Sequence, residues 1–390
     1  MNLRNDIDRA IKDYNLIIET KWNNVDYKVD YKIFNDRGVA WIAKKENERA
    51  IIDFSISIDL NPFYYKSYYH RGFMYFKKGL YEKAIEDFNE AISLFPQDVD
   101  SIYNRALAYY AKNENDNAIT DLNEAIRLNP ENDKLFVLRG NIWSEKGDNE
   151  RSIADYNQAI RLNSDDASIY YRRATQYLKN TDIKLAIEDL NKAIFFNPNY
   201  SDAYNSRGLA WYERNDKDLA IADFNEAIRL NPQIASAYNR RGVTLYAKGD
   251  KDRAIADFNE AIRLDTKYGA AYLNRGNVLL NNGDKDRAIS DFNKVIGLDP
   301  KSANAYVNRG NAFSSKGDKD RAIADYNEAI RLNPQLALAY YNRGSYFEFK
   351  NDLAQALTDF RNFARLNPND SNGTKAIQRI ENKIDAKKGR

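Results

Sequence analysis

The chain has 390 residues, with 59 Lys and Arg set against 57 Asp and Glu, one histidine and no cysteine. That near-cancellation of charge lacks the basic excess of a nucleic-acid binder. The missing cysteines exclude disulfides, thiolate zinc sites and cysteine nucleophiles, and a lone His70 excludes multi-histidine metal centres.

In chain order, Met1 to Thr20 alternates charge with isoleucine, which is not the charged-then-apolar order of a signal peptide. No apolar run approaches the roughly 20 residues that span a bilayer. The expectation is a cytoplasmic protein with no cofactor and no metal. Residues 6–20 read as one amphipathic helix, and residues 21–30 as a connector out of register with the repeats beyond it. From Tyr31 the chain repeats every 34 residues, with later copies opening at Tyr65, Val99, Asp133, Ala167, Ser201, Ala235, Gly269, Ala303 and Ala337. All eight prolines, Pro62 to Pro368, fall in the thirty-second column. A fixed period in this range means one supersecondary unit stacked on copies of itself.

The copy from Ala235 to Lys267 shows the unit clearly. Tyr238, Gly242 and Leu245 mark a first amphipathic helix. Gly249 then supplies the left-handed stop. Ala254, Ile255, Phe258, Ala261 and Ile262 mark a second helix, and a proline in most copies stops it from running on. Gly242 and Ala254 are small because the two axes must approach closely where they cross. Past residue 370, Ala376, Ile377, Ile380 and Ile384 form a one-sided stripe in a Lys-rich segment, the pattern of a final helix closing the stack.

The columns Tyr204, Gly208, Trp211, Ala220, Phe224, Ala227 and Pro232 resemble the tetratricopeptide repeat pattern, and ten consecutive copies carry it. Departures are few: Ala106 and Ala174 replace the glycine, Ser152 the first alanine, Ser164 and Thr266 the proline, and Phe363 the second alanine. The resemblance implies an all-α, right-handed superhelical solenoid of about ten helix-turn-helix repeats. It divides the chain into an N-terminal helical cap with connector (1–30), ten tandem repeats (31–370) and a C-terminal capping helix (371–390).

Two further columns are invariant within the chain. The seventh is Arg in every copy, from Arg37 to Arg343, and the twenty-third is Asp in every copy, from Asp53 to Asp359. Both lie at the margins of the buried stripes. The expectation is a bidentate clamp between the two helices rather than an arginine ladder for a polyanion. Eight copies also carry Asn at the twenty-fifth position, Asn89 to Asn327. Asn is a poor helix former, so a hydrogen bond must retain it, and its partner is not evident from sequence.

The second, fifth, sixth, ninth, twelfth and thirteenth positions of the first helix lie opposite its buried stripe, and they vary from copy to copy. The resemblance makes them the lining of a peptide-binding groove. Early copies place the aromatic or bulky Tyr69, Phe73, Phe76, Tyr103, Leu107, Tyr110 and Tyr171 there, a patch of the kind that marks an interaction site, with His70 and Asn104 beside them. Late copies place Asn274, Asn277, Asn308, Asn311 and Asn342, whose amides can hold a peptide backbone without demanding a sequence. At the sixth position this is similar to the asparagine ladder of the O-linked N-acetylglucosamine transferase superhelix. The clamp that grips chaperone C-termini needs Lys at the fifth position, which no copy has. Asn141, Arg172 and Arg240 stand without its other members.

The function expected is therefore a noncatalytic protein-interaction scaffold, not an enzyme, with an extended peptide or partner helix in its groove. Two alternatives stay open: the substrate-recognition part of a glycosyltransferase or other enzyme complex, and a helical-repeat RNA binder. Neither partner nor oligomeric state is specified by the sequence.

Overall fold

A computed structural model describes residues 3–22 and 30–388, and those residues form helices joined by short links, with no strand among them. The chain divides into two compact units, Met1–Phe196 and Asn197–Arg390.

In the first unit, α1 (Leu3–Trp22) packs on α2 (Tyr31–Ala43). Hairpins then succeed one another: α2 with α3 (Asn47–Leu60), α4 (Tyr65–Lys77) with α5 (Tyr81–Leu94), and α6 (Val99–Ala111) with α7 (Asn115–Leu128). The last two pair α8 (Asp133–Glu145) with α9 (Asn149–Leu162) and α10 (Ala167–Lys179) with α11 (Ile183–Phe196). The second unit repeats the scheme, pairing α12 (Ser201–Glu213) with α13 (Lys217–Leu230), α14 (Ala235–Ala247) with α15 (Lys251–Leu264), and α16 (Gly269–Asn281) with α17 (Lys285–Leu298). It continues through α18 (Ala303–Ser315) with α19 (Lys319–Leu332) and α20 (Ala337–Phe349) with α21 (Leu353–Leu366), and ends on α22 (Ser371–Lys388) against α21. Within each unit the second helix of one hairpin packs on the first helix of the next. Each unit is an α-solenoid.

The turn inside a hairpin has a specific backbone solution. Gly249 N–H reaches Tyr246 O at 2.9 Å and Asp250 N–H reaches Leu245 O at 3.0 Å, while Gly249 sits at φ +90°. This is the Schellman arrangement, and it requires a left-handed residue after the helix. Five hairpins meet it with glycine; Lys45, Asn113, Thr181, Asn215 and Asn351 meet it with φ between 60° and 65°. Asp250 then caps α15 by accepting from Arg253 N–H.

Between hairpins, the residue before the proline is extended, as Asn231 is at φ −141° and ψ 94°. Asn163 and Asp265 take nearly the same angles although Ser164 and Thr266 come after them. Proline therefore reinforces this stop but does not create it.

The core is built from the small and aromatic columns. Ala254 and Ala261 are fully buried, and Phe258 is 1% exposed. Burying one such ring contributes about 2–3 kcal/mol. A Cβ on Gly242 would stand 2.8 Å from the Phe258 ring, which is why the eighth column stays glycine opposite an aromatic. Where Ala106 and Ala174 replace that glycine, the aromatic is replaced by Leu122 and Leu190, so volume lost on one helix is restored on the other.

At the ends, Ile11 of α1 joins a cluster with Trp41, Phe54 and Met74. Asn15 accepts from Arg37 Nη1 at 2.7 Å. The connector over residues 23–29 lies outside the described residues. In α22, Ala376 and Ile380 are buried with Leu353, Ala356 and Phe360, and Arg379 and Lys383 both reach Glu348.

Candidate functional site

The arginine column determines what is left for a partner. In all ten hairpins the arginine grips its aspartate through Nε and Nη2, as Arg241 grips Asp257 at 2.8 and 2.7 Å. The clamp expected from sequence is present. Nη1 explains the twenty-fifth column, because Arg241 Nη1 donates to Asn225 Oδ1 of the preceding hairpin at 2.6 Å. Asn89, Asn123, Asn157, Asn259, Asn293 and Asn327 make the same bond to the next arginine. The guanidinium also lies over the aromatic of its own fourth column, 5.5 Å from the Tyr238 centroid for Arg241. These arginines are committed to the scaffold.

In the first unit the aromatic residues expected to be exposed are half-buried. Tyr69 stacks near Phe73 and tilts against His70 and Phe88. Burial, helped by Asp100 and Asp98, pushes its hydroxyl up to about 12. Tyr103 packs on the cluster of Ile102, Leu135 and Leu138, and burial raises its pKa too. These rings support the interior through one edge and present the other. Asn104 is 8% exposed and donates to Asp100 O at 2.8 Å. Asn141 accepts from Tyr156 Oη at 2.8 Å and from exposed Arg172 Nη1 at 3.1 Å. Tyr110 donates to Glu145, and Tyr171 is half-buried.

His70 bonds through Nδ1 to Asn35 Oδ1 at 2.9 Å and stacks on Phe54. Since Asn35 Nδ2 donates to Asp36, its oxygen faces the ring and Nδ1 carries the proton. Burial, then Lys66, lowers the His70 pKa to about 4, so the ring is neutral at physiological pH.

In the second unit the expected amides meet one another. Asn274 Nδ2 donates to Asn239 Oδ1 at 3.0 Å, Asn308 Nδ2 to Asn277 Oδ1 at 2.9 Å, and Asn342 Nδ2 to Asn311 Oδ1 at 2.7 Å. Asn311 Oδ1 is saturated by a second bond from Tyr326 Oη. Each donor amide keeps its own carbonyl oxygen and second N–H without a partner among the described residues. Arg240 Nη1 reaches Asn205 O at 3.4 Å. The row is thus a set of bonds between successive first helices, with spare donors and acceptors on each.

Sequence reasoning missed one feature, a cavity of about 650 Å³ in the first unit. Its lining includes Tyr14, Tyr64, Tyr65 and Tyr69, with Asp36, Asp98 and Asp100 against Lys66, the one cation there among the described residues. The signal was dispersed, because these residues come from different columns of successive copies.

Family models for tetratricopeptide repeats match residues 171–233, 212–269, 239–303, 273–337 and 307–371, over half the chain, and others match 65–98, 99–132 and 140–181. No curated protein matches the sequence. Among solved structures, a tetratricopeptide repeat protein from Parabacteroides merdae is 22% identical with a TM-score of 0.53, covering 64% of this chain and 99% of its own. The APC/C hetero-tetramer Cut9–Hcn1 is 15% identical with a TM-score of 0.55, covering 97% of this chain and 94% of its own. At these identities the likeness is one of fold.

Proposed function

Because the chain belongs to the tetratricopeptide repeat family, we propose that it is a noncatalytic protein-interaction scaffold. It holds an extended peptide or partner helix against the first-helix face of its repeats. The observation that carries this reading is the division of labour between columns. The Arg, Asp, Gly and small-residue columns are consumed in bonds and packing inside the stack, while the first-helix face carries half-buried rings and amides with spare hydrogen-bonding capacity. Rigid aromatic edges with polar tips and adaptable amides are the chemistry that grips a peptide.

Against an RNA-binding reading, the ten arginines that would form a polyanion track are already paired with carboxylates. Against an enzyme, the one histidine is neutral and committed to Asn35. Helices α1 and α22 serve as end caps around residues 31–370: each covers the apolar side of a terminal hairpin that would otherwise meet water. No helix of the described residues is long and apolar enough to cross a membrane. A chain with no cysteine suits a cytoplasmic setting.

The test is a random peptide library selected on the full chain. Peptides so obtained should lose binding to Arg172→Ala and to Asn274→Ala with Asn308→Ala. They should keep it for Glu260→Ala with Arg263→Ala, an ion pair within one second helix, away from the first-helix face. The reverse pattern would move recognition to the second-helix face.

A further inference from the structure

The cavity in the first unit has an unbalanced charge. Asp36, Asp98 and Asp100 face it, Lys66 is the one cation on its wall among the described residues, and His70 is neutral. Among the described residues none of the three carboxylates forms an ion pair. Asp36 accepts one bond from Asn35, and Asp98 is spent on capping α6 through Ser101. The tyrosines feel the same negative field: burial raises the pKa of Tyr64 and Tyr65, and Asp36 raises the first further while Asp98 and Asp100 raise the second. Two of these rings have aromatic backing, Tyr64 against Tyr31 and Tyr65 against Phe95, each at 4.9 Å between centroids. The walls are therefore held in place before anything binds.

We propose that this cleft, bounded by the tyrosines and by Asp36 and Asp100, receives an arginine side chain from an extended basic segment of a partner protein. A planar guanidinium stacks on aromatic faces and takes carboxylates through paired N–H groups, two demands an ammonium meets less well. A volume of about 650 Å³ lies within the range of ligand pockets and leaves room for the flanking backbone. The chain as a whole carries a net charge of only +2, so attraction for a basic segment is local to this cleft. The inference rests on the scaffold reading and names the chemistry of its partner at one end.

The experiment uses the full chain and a fluorescein-labelled acetyl-Gly-Arg-Gly-Arg-Gly-amide, read by anisotropy. Asp98 is left intact because it caps a helix. Binding should weaken about tenfold in Asp36→Asn with Asp100→Asn, and it should fall as salt rises. It should be unchanged in Asp252→Asn, an exposed residue in the first turn of α15, a second helix outside the groove columns. The Glu-substituted peptide should not bind. Equal binding to the double variant overturns the proposal. So does failure of the arginine peptide while library-selected neutral peptides still bind and still respond to Arg172→Ala, an outcome that leaves the scaffold reading standing. Self-association that the double variant abolishes would assign the cleft to a second copy of this chain and overturn the assignment to a partner protein.

Discussion

Arg241 donates Nη1 to Asn225 at 2.6 Å while holding Asp257 with its other two nitrogens. The aspartate lies sixteen residues ahead and the asparagine sixteen residues behind, so one side chain closes its own hairpin and ties it to the previous one. Asp257→Ala leaves the guanidinium, about one-fifth exposed, without its counter-charge. The expected loss is about 2 kcal/mol, below the cost of breaking a fully buried pair. Asn225→Ala removes a single exposed bond and should cost about 1 kcal/mol. Urea unfolding would measure both, and a silent Asp257→Ala would reject the clamp as a stabilising element.

Gly242→Ala places a methyl group against the Phe258 ring. It should destabilise by about 1–3 kcal/mol through overpacking. Adding Phe258→Leu should recover part of that loss, because the chain itself pairs Ala106 with Leu122. A thermal-melt cycle showing strictly additive effects would mean the two positions do not share one space.

Thr181 holds φ at 62°, a left-handed conformation costly for a β-branched residue. Thr181→Gly should therefore raise stability by about 1 kcal/mol, whereas Gly249→Ala at φ +90° should lower it by a similar amount. Differential scanning calorimetry with both changes moving the transition the same way would contradict the shared turn geometry.

His70 ties the fold to pH. Its pKa is lowered to about 4 in the folded chain from about 6.5 when unfolded. Between these values the unfolded chain binds a proton that the folded chain refuses, so stability is fully present above pH 6.5 and is lost as pH falls toward 4. The contribution is of order 3 kcal/mol. His70→Gln should flatten that part of the profile, read as the difference between urea midpoints on the neutral and acidic sides of that window. Parallel profiles for the two proteins would sink the assignment.

Deleting residues 371–390 should expose Phe360 and Phe363, which α22 covers through Ala376, Ile380 and Gly373. Self-association by light scattering is the expected outcome; an unchanged monomer would mean that α22 is no cap.

The helices, the hairpin pairing and the Arg–Asp clamp were legible because each is set by residues of one 34-residue copy, repeated ten times. The role of Asn225 was not, since its partner belongs to the next copy and column-by-column reading keeps copies apart. Helical periodicity puts Tyr69 and Tyr103 opposite the buried stripe of their own helix, which implies exposure. Adjacent hairpins cover part of that face as well. The acidic cleft joins Asp36, Tyr69 and Asp100 from three copies, and no single column carries it.

The sixteen-residue reach of the arginine also fixes how the chain tolerates editing. Excising residues 269–302 would bring Arg309 onto Asn259, which now serves Arg275, and the joint would close with the same bond. Asn308 would instead meet Val243 where it now meets Asn277. Whole copies can thus be exchanged or dropped with the framework barely registering the change, while the face offered to a partner is rewritten at every junction.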